Sequence, residues 1–294
     1  GGDNGAARMS MMNSSHTIAR TDMAAPSRGR ITLQTLREKK ARREPIAMLT
    51  AYDFPTARIL AGAGVDSLLV GDSAATVLLG ASSTTAATME FLLPLTAAVR
   101  RAAPDVFLMA DMPFASYPDV RTAVENAGRF VREAGADAVK FEMDIRHVEM
   151  TRALSAAGIV VCAHVGLLPQ RAAQQGGYVA QGRTAAEAKR IVEEAVALGA
   201  AGAPMVLLEA VPDEVTAEVV ARVPAIVIGC GGGASADGHV VVVHDMLGYS
   251  EKVPRFVEKF GDVPSAITEA AEKYVAAVRG RSYPAAAHQY RMKS

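Results

Sequence analysis

The sequence predicts a single-domain α/β protein with the architecture of a (β/α)8 TIM barrel. Eight short runs of apolar and β-branched residues recur along the 294-residue chain, and helix-favouring, alanine-rich stretches lie between most of them. The runs are apolar on both faces, as expected for parallel strands that are covered by helices. The count of eight favours a closed barrel over an open, doubly wound sheet.

The elements can be assigned in chain order from this alternation. The predicted strands are 46–52, 67–71, 106–110, Ala138–Glu142, 159–165, 205–210, 225–229 and 240–244, of which the last fits a helix equally well. The helices predicted with the clearest spacing are 118–133, 184–198 and 212–222, and 254–279 is predicted as a terminal helical region.

Three further segments are predicted to lie outside these elements. Residues 166–183 are rich in Gly and Gln and too long for an ordinary turn, which indicates an active-site loop. Residues 1–30 are predicted to be a flexible tail, and a short tail follows residue 281. We therefore expect residues 31–294 to form one catalytic barrel domain.

Composition narrows the class of partner. Lys plus Arg equals Asp plus Glu at 31 each, so no excess positive charge is available for nucleic acid. No apolar run reaches the ~18 residues of a membrane helix. Cys162 and Cys230 are the only cysteines, which predicts a reduced, cytoplasmic protein without a disulfide framework. The expected ligand is a small molecule.

Polar side chains end most of the predicted strands, at the edge where barrels of this kind carry their chemistry. They are Tyr52-Asp53, Asp72-Ser73, Asp111, Lys140 with Glu142, His164, Glu209 and His244-Asp245. A single Asp at such a position is equally well explained as a helix N-cap. Several polar strand ends in one chain instead predict a shared site.

Three of these side chains predict a metal site. Asp72, Asp111 and Glu142 end successive strands, and converging carboxylates repel one another unless a cation joins them. Oxygen ligands favour Mg²⁺, whereas His or Cys spacing for zinc is missing from the sequence. Lys140 lies two residues before Glu142, so both side chains point to one side and Lys140 is placed to bind a substrate carboxylate. The alternative is an internal Lys–Glu ion pair.

Two more strand ends suggest acid–base chemistry. Glu209 follows a very apolar run, and such surroundings raise the pKa of a carboxylate towards that of a general base near neutrality. His164 either hydrogen-bonds a substrate oxygen or is a satisfied structural residue. The glycines at 229–233 allow a ligand to approach the backbone, but they do not form a dinucleotide-binding fingerprint.

Ordered motifs across residues 30–290 resemble one known family. They are Leu49-Thr50-Ala51-Tyr52-Asp53, Val70-Gly71-Asp72-Ser73, Ala110-Asp111-Met112-Pro113-Phe114, Val139-Lys140-Phe141-Glu142, Ala163-His164-Val165-Gly166-Leu167 with Pro169-Gln170, Gln181-Gly182-Arg183, Leu208-Glu209-Ala210-Val211-Pro212 and Asp237-Gly238 with His244-Asp245-Met246-Leu247-Gly248. Together they resemble the ketopantoate hydroxymethyltransferase family.

The resemblance implies a barrel of the phosphoenolpyruvate mutase and isocitrate lyase superfamily. It implies transfer of a hydroxymethyl unit from 5,10-methylenetetrahydrofolate to the metal-bound enolate of a branched 2-oxo acid, 3-methyl-2-oxobutanoate, which gives 2-dehydropantoate in pantothenate biosynthesis. The family typically forms decamers, so the resemblance also implies a homo-oligomer, with a homodecamer as the expected size.

Site roles are carried over residue by residue. In the resemblance, Asp72, Asp111 and Glu142 hold Mg²⁺, and Asp72, Ser73, Asp111 and Lys140 contact the substrate, with Ser73 and Lys140 on its carboxylate. The catalytic residues are Glu209, which takes the C3 proton, Lys140, and His164 near the new hydroxyl.

The chain departs from the family pattern at three places. Met143-Asp144 replaces the usual Gly-Gly, Arg171-Ala172-Ala173 replaces a Ser-Val-Asn or Ser-Val-His sequence, and residues 81–87 differ from the usual acidic, hydroxyl and proline pattern. We expect Met143 to reshape the oxo-acid pocket. Two alternatives stay open: a folate-independent, Mg²⁺-dependent lyase or aldolase of a related 2-oxo acid, and a catalytically silent barrel that serves as a scaffold.

Overall fold

A computed structural model describes residues 29–293. Its eight strands all pair in parallel, and β8 pairs with β1 to close the barrel. The strands are β1 (Ile46–Thr50), β2 (Ser67–Val70), β3 (Phe107–Asp111), β4 (Ala138–Glu142), β5 (Val161–Gly166), β6 (Met205–Glu209), β7 (Ile226–Cys230) and β8 (Gly238–Val241). This order confirms the predicted single-domain (β/α)8 barrel.

Helices precede the first strand, lie between most of the strands along the chain, and follow the last strand. They are α1 (Leu33–Ala41), α2 (Phe54–Ala63), α3 (Ala74–Leu79), α4 (Met89–Ala102), α5 (Val120–Arg132), α6 (Val148–Ala156), α7 (Ala172–Gln175), α8 (Ala185–Ala200), α9 (Asp213–Arg222), α10 (Val243–Met246) and α11 (Val263–Arg279). In residues 29–293, none of these helices is long and apolar enough to cross a membrane.

The predicted strands agree with the observed ones to within about two residues, apart from the eighth. There the run 240–244 is divided between the end of β8 and the start of α10, so each of the two alternatives holds for part of it. The predicted loop 166–183 contains a 3-10 turn, Pro169–Arg171, and the short α7. The predicted tail over residues 1–30 lies outside the described residues, except for Gly29 and Arg30.

Alternation along the strands produces two apolar layers. Residues such as Leu68, Val139 and Val206 point outwards and pack against the helices, whereas Met109 and Met205 point into the barrel. The interior is filled by side chains, so the barrel is a packed core rather than a pore. The site residues continue this interior set, one step further along each strand.

Helix α1 closes the amino end of the barrel. Leu36 is completely buried and joins the interior cluster together with Ile31. Lys39 Nζ lies 2.8 Å from Asp66 Oδ1, and Lys40 Nζ lies 2.8 Å from Asp237 Oδ2. These two aspartates directly precede β2 and β8, so α1 is tied to the starts of the strands. The barrel is therefore sealed at the end opposite the predicted site.

Candidate active site

Strand alternation brings five predicted residues to the barrel mouth. Asp111 follows Met109 on the interior face of β3, and Lys140 and Glu142 follow Ala138 on β4. On the interior faces of β5 and β6, His164 follows Cys162 and Glu209 follows Leu207. Register places Asp111 beside Lys140 and Glu142 beside His164. The polar set therefore results from the strand period, as predicted from the sequence.

Lys140 lies at the centre of this set. Its Nζ is 2.8 Å from Asp111 Oδ1 and 3.2 Å from His164 Nδ1, and the side chain is almost fully buried. Burial alone would lower the pKa of Lys140, but the carboxylates of Asp111 and Asp72 outweigh it and raise the pKa. Lys140 is thus a permanent cation whose carboxylate partner is Asp111, rather than Glu142 as in the alternative considered above.

His164 connects Lys140 to Glu209. Because Nδ1 faces the Lys140 ammonium, Nδ1 is the acceptor nitrogen and the ring proton is assigned to Nε2. His164 Nε2 is 3.1 Å from Glu209 Oε2, although the angle between them falls short of a hydrogen bond. Burial, and then the charge of Lys140, hold the pKa of His164 well below its usual value. The imidazole is therefore neutral.

Glu209 has the properties of a general base near neutrality. Burial raises the pKa of its carboxyl to about 7, with Lys140 acting in the opposite direction and Asp111 in the same direction as burial. Close backbone contact fixes its position, because a side chain at Gly166 would meet Glu209 O at 2.6 Å. Gly166 has φ +96°, which also favours glycine.

Asp72 and Glu142 are joined by one residue that we did not predict as part of the site. Gln170 Nε2 donates to Asp72 Oδ2 at 2.9 Å, and the Gln170 backbone N–H donates to Glu142 Oε1 at 3.0 Å. Burial and the neighbouring Asp111 raise the pKa of Asp72 to about 7, and burial and Asp72 raise that of Glu142 well above its ordinary value. The mouth therefore holds more negative charge than Lys140 alone balances.

Asp111 contacts both Asp72 and Lys140. Its Oδ2 accepts the Asp72 backbone N–H at 2.9 Å, while Oδ1 faces Lys140. A side chain at Gly71 would lie 3.2 Å from Asp111 Oδ2 and 3.0 Å from Ser73 Oγ, so glycine allows this close approach. Ser73 Oγ lies 2.7 Å from the hydroxyl of the buried Tyr52. The predicted Ser73 is thus beside Asp72 and Asp111 at the mouth.

The residues present can be tested for a fit to Mg²⁺. Glu142 Oε2 is a buried oxygen that lacks a hydrogen-bond partner among the described residues, whereas Asp111 Oδ1 is paired with the Lys140 ammonium. Hard, anionic oxygens of this kind suit Mg²⁺. Within residues 29–293, however, three or more His, Cys, Asp or Glu side chains are not gathered at ligating separation. The donor chemistry fits the ion, while Lys140 and Gln170 hold the predicted ligands in the arrangement seen here.

The expectation that Met143 shapes the pocket is wrong. Met143 is fully buried in the layer between strands and helices, and the Thr151 hydroxyl lies 3.4 Å from its sulfur. It points outwards because its neighbour Glu142 points inwards, and successive strand residues alternate. A bulky residue at this position therefore packs against α6 and leaves the oxo-acid side of the barrel unchanged.

Two aromatic hydroxyls lie near the site: Tyr117, which was missed from the sequence, and Tyr52, which was named there as a polar strand end without an assigned role. Tyr117 donates to Gln170 Oε1 at 3.0 Å and stacks edge-on against Phe141. Tyr52 contacts Ser73 as described, and its ring lies 5.6 Å from that of His244. Only the position of Tyr52 in a matching motif signals its role, and Tyr117 lies in a loop without any local signal.

Asp53 takes the simpler of the two roles considered for a strand-end carboxylate. Its Oδ1 accepts the Thr56 backbone N–H at 2.8 Å, as the N-cap of α2. Asp72 differs, since its carboxylate binds Gln170 and Ser73 is the residue that precedes α3. The N-cap explanation therefore holds for Asp53 and fails for Asp72.

A closed parallel barrel with a buried cation, a neutral imidazole and raised-pKa carboxylates at the carboxyl ends of its strands defines a (β/α)8-barrel enzyme. Residues 30–286 match the family model described as ketopantoate hydroxymethyltransferase. The chain belongs to the ketopantoate hydroxymethyltransferase family.

Curated relatives agree with this assignment. The chain is 44% identical over 256 residues to the 3-methyl-2-oxobutanoate hydroxymethyltransferase of Geobacillus sp. (strain WCH70), covering 86% of this chain and 92% of that protein. It is 44% identical over 262 residues to the Thermus thermophilus enzyme of the same name, covering 89% and 100%.

Solved structures share the fold at low identity. A phosphoenolpyruvate phosphomutase from Streptomyces platensis subsp. rosaceus superposes with a TM-score of 0.59 at 16% identity, covering 85% of this chain and 88% of that one. A phosphonopyruvate hydrolase complex with oxalate and Mg²⁺ superposes with a TM-score of 0.58 at 15% identity, covering 87% and 92%. These similarities show that the chain shares the barrel fold of these two enzymes.

Proposed function

We propose that the protein transfers a hydroxymethyl unit from 5,10-methylenetetrahydrofolate to 3-methyl-2-oxobutanoate, giving 2-dehydropantoate for pantothenate synthesis. The observation that carries this proposal is the continuous chain of contacts from Asp111 through Lys140 and His164 to Glu209. In this chain of contacts, the Lys140 cation and the Glu209 carboxyl, whose pKa is about 7, lie on either side of His164 at the barrel mouth. Family membership supplies the substrate names.

The reaction begins with removal of a proton from C3 of the oxo acid. Glu209 accepts this proton. Its pKa of about 7 leaves part of the carboxyl ionised near neutral pH and makes it a stronger base than an ordinary carboxylate. Lys140, with Ser73, binds the substrate carboxylate, and the neutral His164 donates from Nε2 to an oxygen of the substrate or product. Glu209 and Lys140 thus act on opposite ends of a small oxo acid.

Mg²⁺ would be held by Asp72, Asp111 and Glu142, and the unpartnered Oε2 of Glu142 supports this assignment. When bound, the ion would supply positive charge to the oxygens of the oxo acid as C3 loses its proton. Through the bound ion, Asp72 and Asp111 would also contribute to substrate binding. The carboxylates in turn would be stabilised in their ionised form, against the burial that raises their pKa values.

The second half of the reaction forms one C–C bond. The electron pair left at C3 attacks the methylene carbon of the folate as one of its two C–N bonds breaks. The second C–N bond breaks as one water supplies the new hydroxyl to this carbon and a proton to the folate nitrogen, which releases tetrahydrofolate and 2-dehydropantoate. We expect the bulkier co-substrate to bind against the segment 166–183, which is folded over the mouth. The folate-independent lyase was motivated by Met143, which points away from the mouth, so its support is removed.

The test separates proton removal from one-carbon transfer. With Mg²⁺ and no folate, the enzyme should exchange the C3 proton of 3-methyl-2-oxobutanoate with deuterated solvent, measured by NMR. Glu209→Gln keeps the size of the side chain but cannot accept a proton, so exchange and turnover should both fall by about 10²–10⁴-fold. Glu194→Gln, a buried glutamate paired to Arg190 on α8, is the matched control.

Wild-type exchange in Glu209→Gln would assign the base to another group, with His164 next along the contact chain. If the wild-type protein exchanges the proton but never forms 2-dehydropantoate, folate transfer would be excluded and the lyase restored. An absence of exchange in the wild-type protein would favour the silent scaffold.

The proposal extends to assembly and location. In the part of the chain that the structure describes, α11 buries none of its residues, and Ile267, Ala271 and Val275 form an apolar stripe along it. This stripe supports a homo-oligomer, for which the family resemblance suggests a decamer. The low cysteine count supports a cytoplasmic location.

A further inference from the structure

The segment between β5 and α8 is folded compactly over the mouth. Gln175 Oε1 accepts the Leu168 backbone N–H at 2.9 Å, and Gln175 Nε2 donates to Gly166 O at 3.1 Å. These bonds tie the 3-10 turn Pro169–Arg171 to the end of β5. The turn carries two consecutive residues, Gln170 and Arg171, that reach across to β4.

Both polar atoms of the Gln170 side chain, and its backbone N–H, form hydrogen bonds. In addition to its bonds to Asp72 and Glu142, its Nε2 donates to Met112 O at 2.9 Å, and its Oε1 accepts from Tyr117 at 3.0 Å. A side chain with no free donor or acceptor has one preferred position. The place of Gln170 therefore decides how far apart Asp72 and Glu142 lie.

Arg171 binds the residue two positions beyond Glu142. Its Nη1 is 2.6 Å from Asp144 Oδ2, and its Nη2 is 3.2 Å from His147 Nε2. Asp144 caps the 3-10 turn Ile145–His147, accepting the Arg146 N–H at 2.9 Å, so its carboxylate is fixed relative to β4. Both side chains are largely buried, at 20% exposure for Arg171 and 14% for Asp144. Two consecutive residues of the turn thus bind two carboxylates after β4: Gln170 binds Glu142, and Arg171 binds Asp144.

A device that fixes these carboxylates has a physical purpose. Asp72 and Glu142 are buried carboxyls that repel each other when both are ionised, and a fixed bridge holds them at one separation. A partly buried, charge-assisted pair is stronger than the exposed pairs elsewhere on the surface. Asp144 and Arg171 are also two of the departures from the family pattern, and they contact each other rather than the pocket.

We propose that the Asp144–Arg171 ion pair is a positioning device that holds Gln170 across Asp72 and Glu142 before any substrate binds. Asp144 and Arg171 are positioning residues, since they act through Gln170. The positioning stands on the contacts alone, whereas its consequence for catalysis rests on the proposed function. The two are therefore tested by different measurements.

Hydrogen–deuterium exchange of the Gln170 amide in the metal-free, full-length protein tests the positioning. Arg171→Ala and Asp144→Asn should each raise the exchange rate roughly tenfold, because the amide loses its fixed acceptor on Glu142. In the double variant, the exchange rate of the Gln170 amide should be only slightly higher than in the faster single variant, since both substitutions break the same contact. Arg171→Lys keeps the charge and should restore most of the protection.

Arg146→Ala is the matched control. Arg146 also binds Asp144, at 2.5 Å, but its side chain is 73% exposed and does not belong to the turn that carries Gln170. It should leave the Gln170 amide protected. Protection that is unchanged in both Arg171→Ala and Asp144→Asn, or lost equally in Arg146→Ala, would overturn the proposal.

Titration with Mg²⁺ alone, followed by calorimetry, measures the consequence. Arg171→Ala should bind Mg²⁺ roughly tenfold more weakly, and Arg171→Lys should recover most of the affinity. Wild-type affinity in Arg171→Ala would refute the link to the carboxylates. Because these measurements use no oxo acid or folate, failure of the proposed reaction would leave their result unaffected.

Discussion

The ionisation of Glu209 should set the pH dependence of proton removal. The carboxyl has a pKa of about 7 because it is buried, and only its ionised form accepts the C3 proton. With saturating Mg²⁺ and no folate, we expect exchange at C3 to rise about tenfold per pH unit below 7 and to level off above it. The same NMR exchange measurement, run from pH 5 to 9, gives the profile.

Lys140 provides an internal check on this profile. Its pKa is raised by Asp111 and Asp72, so it stays charged throughout the range and contributes no second step. A profile that is flat from pH 5 to 9, or that falls as the pH rises through 7, would contradict the role of Glu209 as the base.

Single residues show what the sequence could and could not predict about the site. The period of two along each strand was enough to bring Asp111, Lys140 and Glu209 together, because it fixes the face on which each lies. The same rule, applied one residue further, places Met143 on the outer face. Gln170 could not be found in this way, since its contacts depend on how a long loop folds back over the mouth.

At the scale of elements, α1 is predicted to be a stabilising plug. Leu36→Ala should lower the free energy of unfolding by about 2–5 kcal/mol, because a fully buried side chain is removed from the barrel interior. Chemical denaturation measures this loss. Turnover at low temperature should stay close to that of wild type, since α1 lies at the end of the barrel opposite the site.

A leucine on the surface gives the comparison for this variant. Leu79 in α3 is 61% exposed, and Leu79→Ala should change the free energy of unfolding by no more than about 0.5 kcal/mol. Equal losses in Leu36→Ala and Leu79→Ala would mean that α1 does not seal the barrel.

Secondary structure was predicted best where the pattern is strongly periodic. The run Ala138–Glu142 coincides with β4, since its buried residues are bounded by clear helical stretches. The eighth run was ambiguous because β8 has only four residues and α10 follows after a single one, Val242. The role of α1 in closing the barrel was also missed, because its ion pairs join residues far apart in sequence, such as Lys40 and Asp237.

At the scale of the whole molecule, the apolar stripe of α11 should form a contact between copies of the chain. Ile267→Glu combined with Val275→Glu places two charges on this stripe and should reduce the mass in solution to that of smaller species. Light scattering coupled to size exclusion measures the mass, and circular dichroism checks that the barrel remains folded.

Lys273→Glu tests the other face of the same helix. Lys273 pairs with Glu269 at 2.5 Å and is well exposed, so the substitution changes charge without touching the stripe. Its mass should equal that of wild type. A wild-type mass for the double glutamate variant would show that α11 is not the contact.

The packed interior and the closed amino end of the barrel also bear on the order of events in a two-substrate reaction. With the amino end closed by Leu36 and Ile31, ligands enter and leave through the carboxyl end alone. A molecule that binds Lys140 must pass the segment 166–183 at the mouth before a second, larger molecule covers this opening. For the proposed reaction, we therefore expect the oxo acid to bind first and its product to leave last, in a compulsory-ordered kinetic mechanism.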